Sequence, residues 1–121
     1  MAVFRLFWAE EVGLPADDRG LAYGDGLFET IRMVGQKGVL LSRHLERMVR
    51  DASRLGINVS RRELAAVCTQ AGQRFSGRFS DDGWILKLTL TRGGGVRGYR
   101  PDPGMVPNLL VSASPLASAP D

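Results

Sequence analysis

The sequence contains very little cysteine, histidine and lysine. Cys68 is the single cysteine among its 121 residues and His44 is the single histidine, which excludes an internal disulfide and the usual zinc ligand sets. The lysines are Lys37 and Lys87, whereas the other fourteen of the 16 basic residues are arginine. Amines able to form a Schiff base are therefore scarce, and planar guanidinium groups, which pair with carboxylates and phosphates, are abundant.

Long apolar runs and a charged leader are also missing. No stretch approaches the length that crosses a bilayer, and residues 1–5 do not begin a secretory or transit segment. We therefore expect a cytoplasmic protein with no membrane partner. A chain of 13.2 kDa with 44% hydrophobic and 24% charged residues is typical of one globular domain with one core.

Charge and aromatic content give little support to a nucleic-acid partner. The formal net charge is +3, and the arginines are scattered along the chain instead of massed in one block. Aromatic residues make up 7% of the chain, too few for a platform on which bases stack. We expect no nucleic-acid partner, and a basic binding module that uses residues 93–100 stays as the alternative from another functional class.

Hydrophobic periodicity predicts strands on both sides of two consecutive helices. Alternating apolar residues indicate the strands, and apolar residues at helical spacing indicate the helices, each preceded by a serine suited to cap its N-terminus. This order favours an α+β domain with a mainly antiparallel sheet and both helices on one face. The predicted strands are 2–8, 27–34, 39–41, 84–92 and 108–113, and the predicted helices run from Ser42 to Gly56 and from Ser60 to Phe75.

The last residues differ in composition from the preceding ones. Residues 114–121 are mostly small, contain two prolines and show no periodicity, which is typical of a linker. We therefore predict one domain over residues 1–113, followed by a linker that leads to another domain.

Three segments carry candidate functional side chains. Residues 93–100 combine glycines, which let a ligand approach the backbone, with two arginines and a tyrosine, and they form either an anion-binding loop or a flexible surface hairpin. On the first predicted helix, His44 and Arg47 share a face beside the apolar stripe, although spacing alone favours ordinary surface charge for Arg47. Residues 18–30 contain acidic residues, an arginine and glycines. By themselves these residue types indicate no more than a structural turn.

Taken together, these segments resemble the fold-type IV pyridoxal-phosphate enzymes. That family includes D-amino-acid and branched-chain aminotransferases and the 4-amino-4-deoxychorismate lyases. The matching blocks are DRGLAYGDGLFET at 18–30, LSRHLERM at 41–48 and LTLTRGGGVRGY at 88–99, in the family's order and over essentially all of residues 1–113. The glycine block is most similar to the lyases, and Tyr99 in place of a histidine separates it from the D-amino-acid transaminases.

The resemblance implies roles for five residues. Arg47 matches the arginine that holds the phosphate of the cofactor, pyridoxal 5'-phosphate, which outweighs the surface-charge interpretation. Arg97 and Tyr99 match positions that contact the substrate carboxylate, and Phe28 and His44 match positions that line the same pocket. A phosphate dianion and a chorismate-like substrate both suit guanidinium forks.

The resemblance also implies that part of the enzyme lies outside these residues. In the family the Schiff-base lysine comes from a C-terminal domain, and neither Lys37 nor Lys87 matches it, so we assign no catalytic residue here and expect no metal. We expect the N-terminal domain of a homodimeric lyase that converts aminodeoxychorismate to 4-aminobenzoate and pyruvate for folate biosynthesis, inactive as this segment alone. The alternative within the fold is an aminotransferase.

Overall fold

The computed structural model describes residues 4–11, 13–15, 18, 26–94 and 106–116. Five strands and two helices follow one another along these residues. In chain order they are β1 (Arg5–Trp8), β2 (Gly26–Val34), β3 (Lys37–Gly38), α1 (Leu41–Arg54), α2 (Arg61–Phe75), β4 (Trp84–Thr91) and β5 (Asn108–Pro115).

The five strands form one sheet in the order β1-β5-β4-β2-β3. β2 pairs antiparallel with both β3 and β4, and β4 pairs antiparallel with β5, whereas β1 pairs parallel with β5. The sheet is therefore mixed but mainly antiparallel, and the predicted α+β class is confirmed. Within the described ranges, no helix has the length and apolar character needed to span a membrane.

One face of the sheet packs against both helices to form the core. From Glu29 onward, every second residue of β2 is buried, and so are the cross-strand partners of these residues on β4, because side chains two positions apart point to the same face. Leu45 and Met48 bring the apolar stripe of α1 onto this face. The other buried apolar residues are Phe4, Ile31, Met33, Ala52, Ile57, Leu64, Val67, Cys68, Ala71, Phe75, Trp84, Leu86, Leu88, Leu90, Leu109 and Val111.

The opposite face of the sheet is more open. Phe28 on β2 is 60% exposed, and the residues beside it in the sheet, Thr89 on β4 and Leu110 on β5, are half-buried. Lys87 lies over the Phe28 ring, with its Nζ 4.6 Å from the ring centroid. Phe28 therefore takes no part in the core and presents its ring at the surface.

The first helix begins differently from the prediction. Residues 39–41 do not form a strand, since β3 ends before them and α1 begins at Leu41. Ser42 is not the N-cap either, because Leu40 takes that position with φ 56° and turns the chain from the sheet into the helix ahead of the serine. The Ser42 hydroxyl instead accepts a hydrogen bond from Arg61 Nη2 at 2.9 Å. Both expectations for this corner are wrong.

The other predicted elements agree with the structure apart from their ends. The Ser60 hydroxyl accepts a hydrogen bond from the backbone N–H of Glu63 at 3.3 Å, so the predicted cap of α2 is confirmed. β1 is described from Arg5 onward, and β4 ends at Thr91. β5 continues to Pro115, so the first two residues of the segment predicted as a linker pair with β4.

The two serines provide a matched test of helix capping. Ser60→Ala removes a side chain that satisfies a free N–H at the start of α2, and we expect it to lower the free energy of unfolding by about 1 kcal/mol. Ser42→Ala removes a hydroxyl that caps no helix N–H, and we expect a clearly smaller loss. Urea denaturation measures both values, and equal losses would contradict the capping role of Ser60.

Candidate functional site

A buried carboxylate on the helical face of the sheet is the centre of the candidate site. Glu29 lies on β2, and its side chain is 5% exposed. It points toward α1, where the helical spacing of three residues brings His44 and Arg47 to the same side. Because burial of an unpaired carboxylate costs free energy, these three side chains form one unit, which we call the Glu29 cluster.

Arg47 and His44 share the oxygens of this carboxylate. Arg47 Nε donates to Oε2 at 2.9 Å and Nη2 donates to Oε1 at 2.7 Å, which is a bidentate fork. His44 Nδ1 lies 2.7 Å from the same Oε1. We assign the Nδ1 proton to this contact because an ionised carboxylate can only accept a hydrogen bond. The basic lone pair of a neutral His44 is therefore on Nε2.

The ion pairs determine the charge state of the Glu29 cluster. Burial by itself raises the pKa of Glu29, but the hydrogen bonds and charges of Arg47 and His44 outweigh burial, so the pKa of Glu29 lies below that of a free glutamate. In turn, the hydrogen bond and the charge of Glu29 raise the pKa of Arg47. At neutral pH the cluster therefore contains an ionised carboxylate and a charged guanidinium.

Arg47 also reaches the surface. Its side chain is 54% exposed, and its contacts with described residues use Nε and Nη2 and leave Nη1 uncommitted. A permanently charged donor held in a fixed plane suits a phosphate oxygen. Arg47 thus fits the phosphate of pyridoxal 5'-phosphate, and Glu29 fixes the orientation of the guanidinium group.

The other residues implied by the resemblance do not join this cluster. Phe28 comes directly before Glu29 on β2, and its side chain therefore lies on the opposite face of the sheet from His44. Arg97 and Tyr99 lie outside the described residues. Of the five residues, the structure brings together His44 and Arg47.

Nucleophilic and metal-binding groups are few in the part of the chain that the structure describes. Cys68 lies in the core, and burial raises the pKa of its thiol to about 11, so it stays protonated at neutral pH. Lys37 is exposed on β3, and Lys87 contacts an aromatic ring. Among the described residues, no three His, Cys, Asp or Glu side chains are placed to hold a metal.

A second polar cluster is buried where β4 ends and β5 begins. Asp18 is fully buried, and its Oδ1 accepts hydrogen bonds from Thr91 Oγ1 at 2.5 Å and from Asn108 Nδ2 at 2.6 Å. The Asn108 side-chain oxygen accepts a hydrogen bond from Arg5 Nε at 3.1 Å. We call these four residues the Asp18 cluster.

The residues predicted for the site do not include Glu29, Thr91 or Asn108. The alternation of residues along β2 could have indicated Glu29. This carboxylate lies on the same face as Ile31 and Met33, where an apolar residue is expected, and is therefore unusual there. Thr91 and Asn108 have no such signal, since they lie 73 and 90 residues from Asp18 along the chain. Only the fold brings these polar groups together.

Curated proteins and family models include clear relatives of this chain. The model of the amino-transferase class IV family matches residues 26–121. The D-alanine aminotransferase of Bacillus licheniformis is 30% identical over 112 residues, which cover 93% of this chain and 39% of that protein. The chain therefore spans about two fifths of the length of this relative.

Solved structures with the same fold include a lyase and an aminotransferase. The 4-amino-4-deoxychorismate lyase from Pseudomonas aeruginosa matches with a TM-score of 0.75 and 37% identity, over 90% of this chain and 38% of that chain. A hypothetical aminotransferase from Mycobacterium tuberculosis, solved in its PLP-bound form, matches with a TM-score of 0.73 and 26% identity, over 88% of this chain and 35% of that chain.

These similarities identify the class of protein. The fold is that of the fold-type IV pyridoxal-phosphate enzymes, as the sequence blocks predict. The chain belongs to the amino-transferase class IV family.

Replacing the buried carboxylate by an amide tests the Glu29 cluster. At pH 7, Glu29→Gln loses charge-assisted hydrogen bonds, and we expect a decrease of about 1–3 kcal/mol in the free energy of unfolding. Because the folded state lowers the pKa of Glu29, its stabilising effect is present above the pKa of the unfolded chain and disappears as the pH falls through the folded value. The difference between the variant and the original chain should therefore shrink below about pH 4.5.

Urea denaturation between pH 7 and pH 3 measures this effect. Glu46→Gln is the matched control, since Glu46 is exposed on α1 and has no ion pair with the residues that the structure describes. A stability difference for Glu29→Gln that stays constant over this pH range would contradict the role of its charge.

Proposed function

We propose that this chain is the N-terminal domain of a 4-amino-4-deoxychorismate lyase, which converts 4-amino-4-deoxychorismate to 4-aminobenzoate and pyruvate in folate biosynthesis. The 37% identity to the Pseudomonas aeruginosa lyase supports this reaction. So does the glycine block at residues 93–99, which contains Tyr99 where a D-amino-acid transaminase has histidine. The proposal concerns the whole protein, since the chain covers 38% of that structure.

The Arg47 fork on Glu29 is the observation that carries the cofactor-binding part of the proposal. A free arginine on a helix surface samples many orientations, whereas this guanidinium is held by two hydrogen bonds to a buried carboxylate. Its exposed edge can therefore bind a phosphate oxygen without first being ordered, which favours tight binding. The Nη1 donors of Arg47 make no contact with the described residues and can therefore donate to an oxygen of the phosphate.

The proposed roles of the side chains follow from their chemistry. Arg47 holds the cofactor phosphate, and His44, held by Glu29, lies beside it with Nε2 free of the carboxylate contact. Arg97 and Tyr99 contact the substrate carboxylate, and Phe28 supplies an apolar wall to the pocket. When bound, pyridoxal 5'-phosphate supplies an electron sink for the carbon skeleton of the substrate.

The remaining parts of the proposed enzyme lie in other segments. A C-terminal domain, joined through the residues that follow β5, supplies the lysine that binds the cofactor. The enzyme acts as a cytoplasmic homodimer on a small-molecule substrate. Lys37 and Lys87 are not proposed as covalent catalysts, since Lys37 is exposed on β3 and Lys87 contacts the Phe28 ring.

An aminotransferase of the same fold is the second candidate. The 30% identity to the Bacillus licheniformis D-alanine aminotransferase favours it. The two reactions share a cofactor and differ in products, because a lyase releases pyruvate without an acceptor and an aminotransferase needs a 2-oxo acid to accept the amino group.

Product analysis of the full-length protein distinguishes these reactions. We expect 4-aminobenzoate and pyruvate in equal amounts from aminodeoxychorismate when no 2-oxo acid is present. Chromatography measures 4-aminobenzoate, and a coupled lactate dehydrogenase assay measures pyruvate. Amino-group transfer from D-alanine to 2-oxoglutarate, with no pyruvate from aminodeoxychorismate, would replace the lyase assignment by the aminotransferase.

Replacing Arg47 tests the proposed phosphate contact. Arg47→Ala removes a charge-assisted donor to a dianion, and we expect the affinity of the full-length protein for pyridoxal 5'-phosphate to fall about 10- to 100-fold. Arg43→Ala is the matched control, since Arg43 is an exposed arginine one turn earlier on α1. Absorbance titration with the cofactor measures both affinities. Equal affinities in the two variants would refute the role of Arg47.

A further inference from the structure

A groove lies between α1 and α2 where both helices begin. It is lined by Leu41, Ser42, Leu45, Arg61, Arg62 and Ala65, and we call it the interhelical groove. Its volume is about 380 Å³, within the range of roughly 300 to 1,000 Å³ that small-molecule sites occupy. The groove shares no residue with the Glu29 cluster or the Asp18 cluster, and it is therefore distinct from the proposed cofactor contact.

The floor of the interhelical groove is apolar. Leu41 and Leu45 are four residues apart, so their side chains lie on the same side of α1, and Ala65 lines the groove from α2. Leu45 is 1% exposed, whereas Leu41 and Ala65 are half-buried. Because Ala65 carries only a methyl group, it leaves space between the two helices.

The strained start of α1 contributes to this floor. Leu40 turns the chain into the helix in a left-handed conformation, which is unfavourable for leucine because its Cβ atom approaches the following carbonyl oxygen. The helix consequently begins at Leu41, one residue before the predicted start at Ser42. Strained backbone is concentrated at ligand sites and switch regions, and here its result is that Leu41 lines the groove.

Two arginines form the rim of the interhelical groove. Arg61 and Arg62 are exposed, and neither makes an ion pair with the residues that the structure describes. Arg61 Nη2 donates a hydrogen bond to the Ser42 hydroxyl at 2.9 Å, so one guanidinium group is held across the groove, from α2 to α1. The rim therefore combines two positive charges, one of them in a fixed position, with an apolar floor.

We propose that the interhelical groove binds a small organic acid with an apolar body, a proposal that does not rest on the proposed function. The carboxylate accepts hydrogen bonds from Arg61 and Arg62, since guanidinium groups match the two oxygens of a carboxylate. The apolar body lies against Leu41, Leu45 and Ala65 and removes their surface from water. A bare anion would leave the floor uncovered, and a neutral apolar molecule would leave both charges unpaired.

Benzoate is the probe for this class of ligand. Isothermal titration calorimetry of the full-length protein measures its affinity beside those of acetate, which lacks the ring, and benzyl alcohol, which lacks the charge. We expect benzoate to bind about tenfold more tightly than either of them. Acetate that binds as tightly as benzoate would indicate a bare anion site, and benzyl alcohol that does so would indicate an apolar docking surface. Either result would overturn the proposal.

Two pairs of variants locate the bound benzoate. Ala65→Leu fills the groove, whereas Ala66→Leu makes the same change at the next position, which is exposed and outside the groove. Arg62→Gln removes a charge from the rim, whereas Arg50→Gln removes a charge from an exposed arginine of α1 outside the groove. We expect Ala65→Leu and Arg62→Gln each to weaken benzoate binding at least about tenfold, and both controls to keep the original affinity.

The pattern across the variants decides the proposal. Benzoate held at the proposed active site instead would bind equally to all four variants, and that result would refute the interhelical groove as its site. Absence of benzoate binding by the original protein, or equal losses in the controls and the groove variants, would refute it as well. Circular dichroism checks that each variant is folded. Arg62→Gln changes an exposed side chain and no packing in the core, so it provides the test even if Ala65→Leu does not fold.

Discussion

The arrangement of this domain depends on one ion pair between the sheet and a helix. Glu29 occupies a core-facing position of β2, where an isolated charge would be strongly unfavourable. Arg47 and His44 satisfy it only if α1 lies across β2 with one particular rotation about its axis, because the two residues must face the strand while Leu45 and Met48 enter the core. The polar contact therefore fixes the rotation of α1 about its axis. Apolar packing alone would allow a wider range of rotations.

The pleat of β2 divides the polar chemistry of the domain between two faces. Glu29 faces the helices and orients Arg47, the residue proposed to hold the cofactor phosphate. Phe28 faces the open side, where the Asp18 cluster also lies. The two polar clusters therefore lie on opposite faces of the sheet and share no residue.

Local chemistry explains which parts of the fold were predictable. The alternation of β2 and β4 and the cap at Ser60 depend on neighbouring residues, and the structure agrees with them. The start of α1 was not predictable from Ser42, because the left-handed Leu40 turns the chain earlier, and leucine has no intrinsic preference for that conformation. The parallel pairing of β1 with β5 has no local signal either.

The candidate site, like the fold, was predictable only where local sequence carries the information. Arg47 and His44 could be recognised from a short block on one helix, whereas the partner that holds them lies 18 and 15 residues away on a strand. The Asp18 cluster joins residues from four separate parts of the chain, and neither composition nor spacing predicts such a set.

The pairing of the first strand with the last one affects how the domain is made. Arg5 contacts Asn108 across 103 positions, so closing the sheet requires nearly the whole chain, and contacts of such long range slow folding. During synthesis β1 leaves the ribosome first and must wait without its partner until β5 emerges. In that interval one edge of β4 and all of β1 expose unpaired N–H and C=O groups. The nascent domain is therefore most vulnerable to aggregation just before its last strand is complete.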